Sequence, residues 1–146
     1  MEMVVRAAEA GDAAEISALV EQLGYQRTPE QVAAWVAEAA PGASGRQAYV
    51  ACLGAEIAGW VAVSIERPLQ SADYALITGL VVKDGRRGNG IGRALCARAE
   101  GWAWQQGMRQ VRVTSRSTRV DAHRFYLRDG YGELKTSLVF EKYGPE

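Results

Sequence analysis

Residues 74–105 constrain the fold most, because an apolar run, a glycine- and arginine-rich joint and a helical period follow one another directly. The run YALITGLVV carries no charge over residues 74–82, which predicts a central strand buried on both faces. After the joint, Ile91, Leu95, Ala99 and Trp102 recur at spacings of four, four and three, one face of a helix that Gly107 stops. The joint itself, GRRGNGIGRAL at 85–95, packs four glycines and three arginines into eleven positions. A helix N-terminus presents unpaired N–H groups and about half a unit of positive charge, where phosphate binds readily. Glycines at 88, 90 and 92 remove side chains that would hold an anion away from those groups. A tight turn that is merely glycine-rich is the competing reading of the glycines alone.

The rest of the chain supplies the other elements of a mixed α/β sheet. Val4–Ala7 reads as a short first strand. Asp12 with Glu15 has the spacing of a capping box, opening a helix that carries Ile16, Leu19, Val20 and Leu23 on one face. Thr28-Pro29-Glu30-Gln31 repeats the signal ahead of Val32, Trp35 and Val36, and PGASG breaks the chain at 41–45. QAYVACL and EIAGWVAVSIE read as two strands joined by a turn at Gly54-Ala55. QVRVTS alternates as a further strand, DAHRFYLRDGY forms a short helix ended by Gly130, and SLVFEKY is expected to close the sheet. No linker or repeat divides the chain, so residues 1–146 are read as one domain.

Composition excludes several functions. With 48% hydrophobic residues the chain can bury a core of its own, and its formal net charge of zero advertises neither a nucleic-acid nor a membrane partner. Cys52 and Cys96 lack metal-ligand spacing and only one histidine is present, so no metal site is expected. The early acids of MEMVVRAAEAGDAAE and the lack of a long apolar stretch fit neither a signal peptide nor a membrane span, making the cytoplasm the expected compartment.

Two phosphate-binding patterns fail on detail. A Walker loop ends in Gly-Lys-Ser/Thr, and the chain has no Gly-Lys pair. A dinucleotide fingerprint needs Gly or Ala where Arg93 stands, and an acid where the next strand ends in Thr114 and Ser115. By contrast, LVVKDGRRGNGIGRALCARAE resembles the acyl-CoA-binding signature of the GNAT superfamily of N-acetyltransferases, with the core Arg87-Gly88-Asn89-Gly90-Ile91-Gly92. AHRFYLRDGY is similar to that family's downstream Ala-x-x-Phe-Tyr segment, and the element order matches over almost the whole chain.

The resemblance implies a mostly antiparallel central sheet, splayed at the cofactor and flanked by helices. It implies an enzyme that moves an acetyl group from acetyl-CoA to a primary amine of a small molecule, amino acid or peptide, in a ternary complex. Amides from Arg87 to Gly92, with Arg93 beside them, would cradle the CoA pyrophosphate, and the pantetheine arm would run along Leu80, Val81 and Val82. The N–H of Leu80 or Val82 would hold the oxyanion that forms on amine attack. Tyr126 would protonate the departing thiolate, while Phe125 stays in the core. Gly79, inside a strand of bulky residues, suggests a bulge or a close backbone approach. The resemblance also admits a homodimer.

Three points depart from the family pattern or stay open. The central strand has no carboxylate to act as base; Asp73, Glu66 and Tyr74 are the nearest groups able to take a proton from the amine. His123 is a further candidate, whose place two residues before Phe125 points it towards helix surface or cofactor. Arg119 stands where many members carry Asn, so that Arg119 and Arg124 are either adenosine-phosphate contacts or solvated surface charges. Tyr25, Trp35, Trp60, Tyr74 and Tyr131 are candidates for the acceptor pocket, and no acidic cluster suited to a polycation is visible. A CoA-binding regulatory module without catalysis is the alternative, and a nicotinamide-dinucleotide domain a distant third.

Overall fold

Five strands, β1 (Met3–Ala7), β2 (Arg46–Leu53), β3 (Glu56–Glu66), β4 (Tyr74–Val82) and β5 (Val111–Val113), lie side by side in sequence order. The first four are antiparallel, and β5 runs parallel to β4, as the helical crossover between them requires. The computed structural model describes residues 2–39 and 44–145, so most of the expected break at 41–45 lies outside the described residues. The chain forms two compact units, Met1–Thr114 and Ser115–Glu146.

In the first unit, helices α1 (Ala13–Gln22) and α2 (Pro29–Ala39) cover one face of the sheet. Ile16, Leu19 and Val20 of α1 and Val32 and Val36 of α2 pack with Val50, Ile57 and Val81. Helix α3 (Ile91–Gln105) covers the other face, with Ile91, Leu95, Cys96 and Ala99 almost wholly buried. A Cβ on Gly59 would lie 3.1 Å from Leu95 Cδ1 and 3.3 Å from Ile91 Cγ2, so the glycine lets the start of α3 settle onto β3.

Helix entries follow the expected chemistry in one case and not in the other. Thr28 Oγ1 accepts from Gln31 N at 3.1 Å and Gln31 Oε1 accepts from Thr28 N at 3.0 Å, a reciprocal box at the start of α2. Asp12 and Glu15 do not pair in this way. Asp12 Oδ2 accepts from Glu9 N, three residues back, across the 3-10 turn Ala10–Asp12, and Asp12 takes a two-pronged contact from Arg6 at 2.8 and 2.9 Å. Glu15 instead accepts from Ile57 N at 3.1 Å, tying α1 to β3. Asp12 thus closes the preceding 3-10 turn instead of α1, and Glu15 is taken by a partner 42 residues away, which spacing alone does not reveal.

Strand β4 departs from a continuous buried strand. Its register with β3 moves from Ala62↔Gly79 to Val63↔Ile77, leaving Thr78 as an extra, exposed residue. The one-residue slip turns successive odd-numbered side chains to opposite faces: Ile77 shares a face with Val63, whereas Gly79 and Val81 share that of Ala62 and Trp60. The strand is apolar throughout because it feeds both layers in turn, not because both of its faces are buried along its length. It is also next to last in the sheet rather than central.

In the second unit, helix α4 (Val120–Arg128) gives way to Gly130, whose φ of +93° places it in the left-handed region. No residue of α4 is fully buried, so Phe125 is half-buried rather than a core residue. The expected closing strand at SLVFEKY is absent: residues 131–145 form no regular element, and Leu138, Val139 and Phe140 are at least 81% exposed. An apolar run becomes a strand only where a neighbouring backbone supplies a ladder, and β5 is three residues long. Among the described residues, no helix is long and apolar enough to cross a membrane.

Candidate functional site

The site is built where β4 runs out into the glycine loop. Lys83 N donates to Ala58 O at 2.7 Å, which makes 83 and 58 a hydrogen-bonded pair of the β3–β4 ladder. Antiparallel alternation then directs the N–H groups of Gly79 and Val81 towards β3, and those of Leu80 and Val82 towards the opposite edge. On that edge β5 pairs only with Ala75, Leu76 and Ile77. The Leu80 and Val82 amides therefore project from a strand edge with no strand beside it among the described residues. The sequence-derived proposal for these two residues needs that geometry.

The loop that follows is glycine-dependent for a conformational reason. Gly85, Gly88 and Gly90 have φ of +86°, +84° and +76°, and a Cβ at any of them would meet nothing within 4 Å. Open space surrounds them, so it is the left-handed backbone that selects glycine. Gly90 is the N-cap of α3 and contributes no side-chain cap; the first intrahelical bond is Ala94 N to Gly90 O at 3.0 Å. The N–H groups of Ile91, Gly92 and Arg93 thus open the helix without intrahelical acceptors. Left-handed glycines ahead of an uncapped helix N-terminus make a concave row of amide donors suited to a diphosphate.

The loop charges differ in their surroundings. Arg86 grips Glu56 through Nε at 2.7 Å and an Nη at 3.2 Å, and Lys83 reaches the same carboxylate at 3.4 Å. Hydrogen bonds from Arg86, foremost, hold Glu56 below the ordinary carboxylate range, and Glu56 in turn raises Arg86. Arg86 therefore braces the loop against the β2–β3 hairpin. Arg87 makes only an exposed contact of 3.2 Å with Asp84, and Arg93 is exposed on the first turn of α3. Asn89 Nδ2 donates to Arg86 O at 3.0 Å and shapes the turn from within.

Gln22 has no counterpart in the sequence reading. From the end of α1 its Nε2 donates to Val82 O at 2.8 Å and its Oε1 accepts from Asp84 N at 2.9 Å. One side chain thereby pins the junction of strand and loop from sixty residues away in sequence, and no local pattern announces it.

A cavity of about 200 Å³ lies beside Gly79, between α1, α2 and the sheet. Trp35 of α2, Trp60 of β3, Thr78 and Gly79 of β4, and Arg27 of the α1–α2 connection are among its walls. A Cβ on Gly79 would stand 2.6 Å from Trp60 Cη2, so here the glycine serves close approach, and the bulge at Thr78 accompanies it. Of the aromatic candidates, Trp35 and Trp60 line the cavity. Tyr74 instead lies under the Arg112 guanidinium at 4.0 Å, and Tyr25 is exposed. Asp73, Glu66 and Tyr74, the candidate bases of the first unit, do not line the cavity. Asp73 is paired with Arg67, and Glu66 accepts from Ser64 Oγ at 2.9 Å.

Tyr126 and Arg119 belong to the second unit. Tyr126 sits on α4 between Phe125 and Tyr131, with ring centroids 5.2 and 5.8 Å away in edge-to-face contacts. Tyr131, a candidate for the pocket, is thus a neighbour of Tyr126. Arg119 is exposed at the N-cap of α4, Arg124 reaches Asp121 at 3.8 Å, and His123 Nε2 lies 2.8 Å from Arg116 O.

Comparison with known proteins bears on this geometry. The model of the Acetyltransferase (GNAT) family matches residues 14–131. The chain belongs to the GNAT acetyltransferases. Within that family, an aminoalkylphosphonate N-acetyltransferase of Salmonella typhimurium is 39% identical over 77 residues. That alignment covers 52% of this chain and 50% of the relative, about half the length of each. Among solved structures, a transcriptional regulator from Bacillus halodurans C-125 superposes with a TM-score of 0.84 at 25% identity, over 97% of this chain and all of the other. The aminoglycoside N-acetyltransferase AAC(6')-Iy in complex with CoA gives a TM-score of 0.85 at 17% identity, over 97% and 95% of the two chains, a likeness of fold. Acetyl-CoA is the acyl donor of the GNAT acetyltransferases, and among the described residues no group of side chains could hold a metal ion.

Proposed function

We propose that this chain is an acetyl-CoA-dependent N-acetyltransferase that acetylates a primary amine by direct attack in a ternary complex. The observation that carries the reading is that the unladdered β4 edge at Leu80 and Val82 leads, through the left-handed Gly85, Gly88 and Gly90, directly to the N-terminus of α3. Bound acetyl-CoA supplies a thioester-activated acetyl group. The loop amides from Arg87 to Gly92, with the Arg87 and Arg93 side chains, hold the diphosphate; the edge of Leu80, Val81 and Val82 aligns the amide-rich arm. The N–H of Leu80 or Val82 donates to the acyl oxygen, where charge builds as the amine attacks. Tyr126 donates the proton that the departing thiolate takes up, a role that rests on the family resemblance of its segment. The family match spans both compact units and supports reading residues 1–146 as a single transferase domain. Cys52 and Cys96 stand as thiols rather than in a disulfide, which suits a reducing, cytoplasmic setting.

Calorimetric titration with acetyl-CoA, using NAD as control, tests the cofactor. Gly90→Glu places a carboxylate and a left-handed side chain at the helix N-cap and is expected to abolish binding of acetyl-CoA while the fold survives. Tyr126→Phe is expected to lower kcat by about a hundredfold with little change in the KM for acetyl-CoA. A folded protein that binds no acetyl-CoA refutes the reading.

A second reading, a CoA-binding regulatory module, draws on the absence of Asp73, Glu66 and Tyr74 from the cavity walls and on the regulator among its structural neighbours. Thiol release with a panel of amines, including the aminoalkylphosphonates for which the Salmonella relative is named, separates the two. A regulatory module binds acetyl-CoA without turnover.

A further inference from the structure

We propose that the acceptor amine carries an anionic group, a carboxylate or a phosphonate, and that Arg27 recognises it at the mouth of the α1–α2 cavity. The inference rests on the transferase reading and deepens it. Arg27 is the one charged residue among the cavity walls, and its guanidinium takes part in no ion pair among the described residues. Other arginines of the first unit are engaged: Arg6 with Asp12, Arg46 with Glu38, Arg67 with Asp73, Arg86 with Glu56.

The position of Arg27 is set rather than incidental. Ser17 Oγ of α1 donates to Arg27 O at 2.5 Å, and the next residue, Thr28, caps α2. The backbone of residue 27 is therefore held from both helices while the side chain stays exposed. A guanidinium on such a mount, with its five donors, matches the oxygens of a carboxylate or phosphonate.

The remaining walls point the same way by being poor in acceptors. Among the described residues they include no carboxylate. The Trp60 Nε1 is buried with no acceptor, and the Thr78 hydroxyl donates to Ala62 O at 3.4 Å. An additional ammonium group would find no counter-charge there, whereas an anion finds Arg27. The tryptophans Trp35 and Trp60 enclose the short carbon chain between the two ends of such a substrate, and a volume of about 200 Å³ suits an amine of a few heavy atoms rather than a polycyclic one. The Gly79 end of the cavity adjoins the Leu80 amide, so an anion held at Arg27 directs the amine end of the molecule towards the acyl-bearing edge.

The test compares propylamine, β-alanine and 2-aminoethylphosphonate at saturating acetyl-CoA, reading thiol release for the wild type, Arg27→Gln and Arg27→Lys. Wild-type kcat/KM is expected to favour at least one anionic amine over propylamine by about tenfold or more, in line with a charge-assisted hydrogen bond. In Arg27→Gln that ratio is expected to collapse by about tenfold, mainly through KM, and Arg27→Lys is expected to restore part of it. The ratio of β-alanine to the phosphonate identifies which anion the site takes. Turnover without preference for either anion, or a preference that survives Arg27→Gln, overturns this proposal alone. No thiol release with any amine overturns the transferase reading and this proposal with it.

Discussion

Replacing Gly79 with alanine probes the one place where sheet geometry and cavity shape depend on the same atom. The new Cβ would stand 2.6 Å from Trp60 Cη2 and 2.7 Å from Cζ3. Carbon atoms rest at about 3.5–4.0 Å, so ring and strand must part by about 1 Å. Overpacking of this kind costs about 1–3 kcal/mol, and the lower half of that range applies because the indole borders empty space. For a chain of this length, about 1–2 kcal/mol lowers Tm by about 2–8 °C. Both residues line the cavity, so the displaced ring takes up acceptor volume, and the KM for the amine is expected to rise about tenfold while that for acetyl-CoA changes less. Trp60→Leu removes the opposing ring, so Gly79→Ala should cost much less in that background. Thermal melts and steady-state kinetics on the four proteins of the double-mutant cycle measure the coupling, expected at about 1 kcal/mol. Single-mutant effects that add to within about 0.5 kcal/mol would refute the steric link between strand and cavity.

Two further perturbations follow from specific contacts. Gln22→Ala removes both hydrogen bonds that pin Val82 and Asp84; it is expected to cost about 1 kcal/mol of stability and to weaken acetyl-CoA binding about three- to tenfold, read by chemical denaturation and calorimetry. Asp12→Asn breaks the pair with Arg6 and is expected to cost about 1–2 kcal/mol at pH 7, allowing for solvent at the arginine. Hydrogen bonds from Arg6, foremost, hold the Asp12 carboxyl below its ordinary value, so its contribution is complete above about pH 4 and is lost as pH falls through the folded value. Denaturation of wild type and variant should therefore differ by a constant amount from pH 7 to pH 5 and converge below pH 4; a difference that vanishes near neutrality would refute the assignment.

What was legible in the sequence was whatever depends on neighbours in the chain. The period of α3, the reciprocal cap of Thr28 and Gln31, the two-residue turn at Gly54-Ala55 and the glycine-rich joint ahead of α3 all report backbone preferences acting over a few residues, although the left-handed φ of Gly88 and Gly90 came only with the structure. The strand-to-helix order around the loop, and with it the candidate diphosphate cradle, follows from the same local signals. Tertiary structure decided the rest. Whether Glu15 turned to its own helix or to Ile57 N depended on which partner arrived from elsewhere. The apolar run at 138–140 forms no strand, because a ladder requires a second backbone and composition does not say whether one is present. Gln22 at the strand–loop junction and Arg27 at the cavity became functional candidates only when folding placed α1 and its following turn against β4 and the sheet. Local conformational energy is written residue by residue along the chain, but electrostatic pairing and cavity shape are properties of surfaces that exist only once distant segments have met.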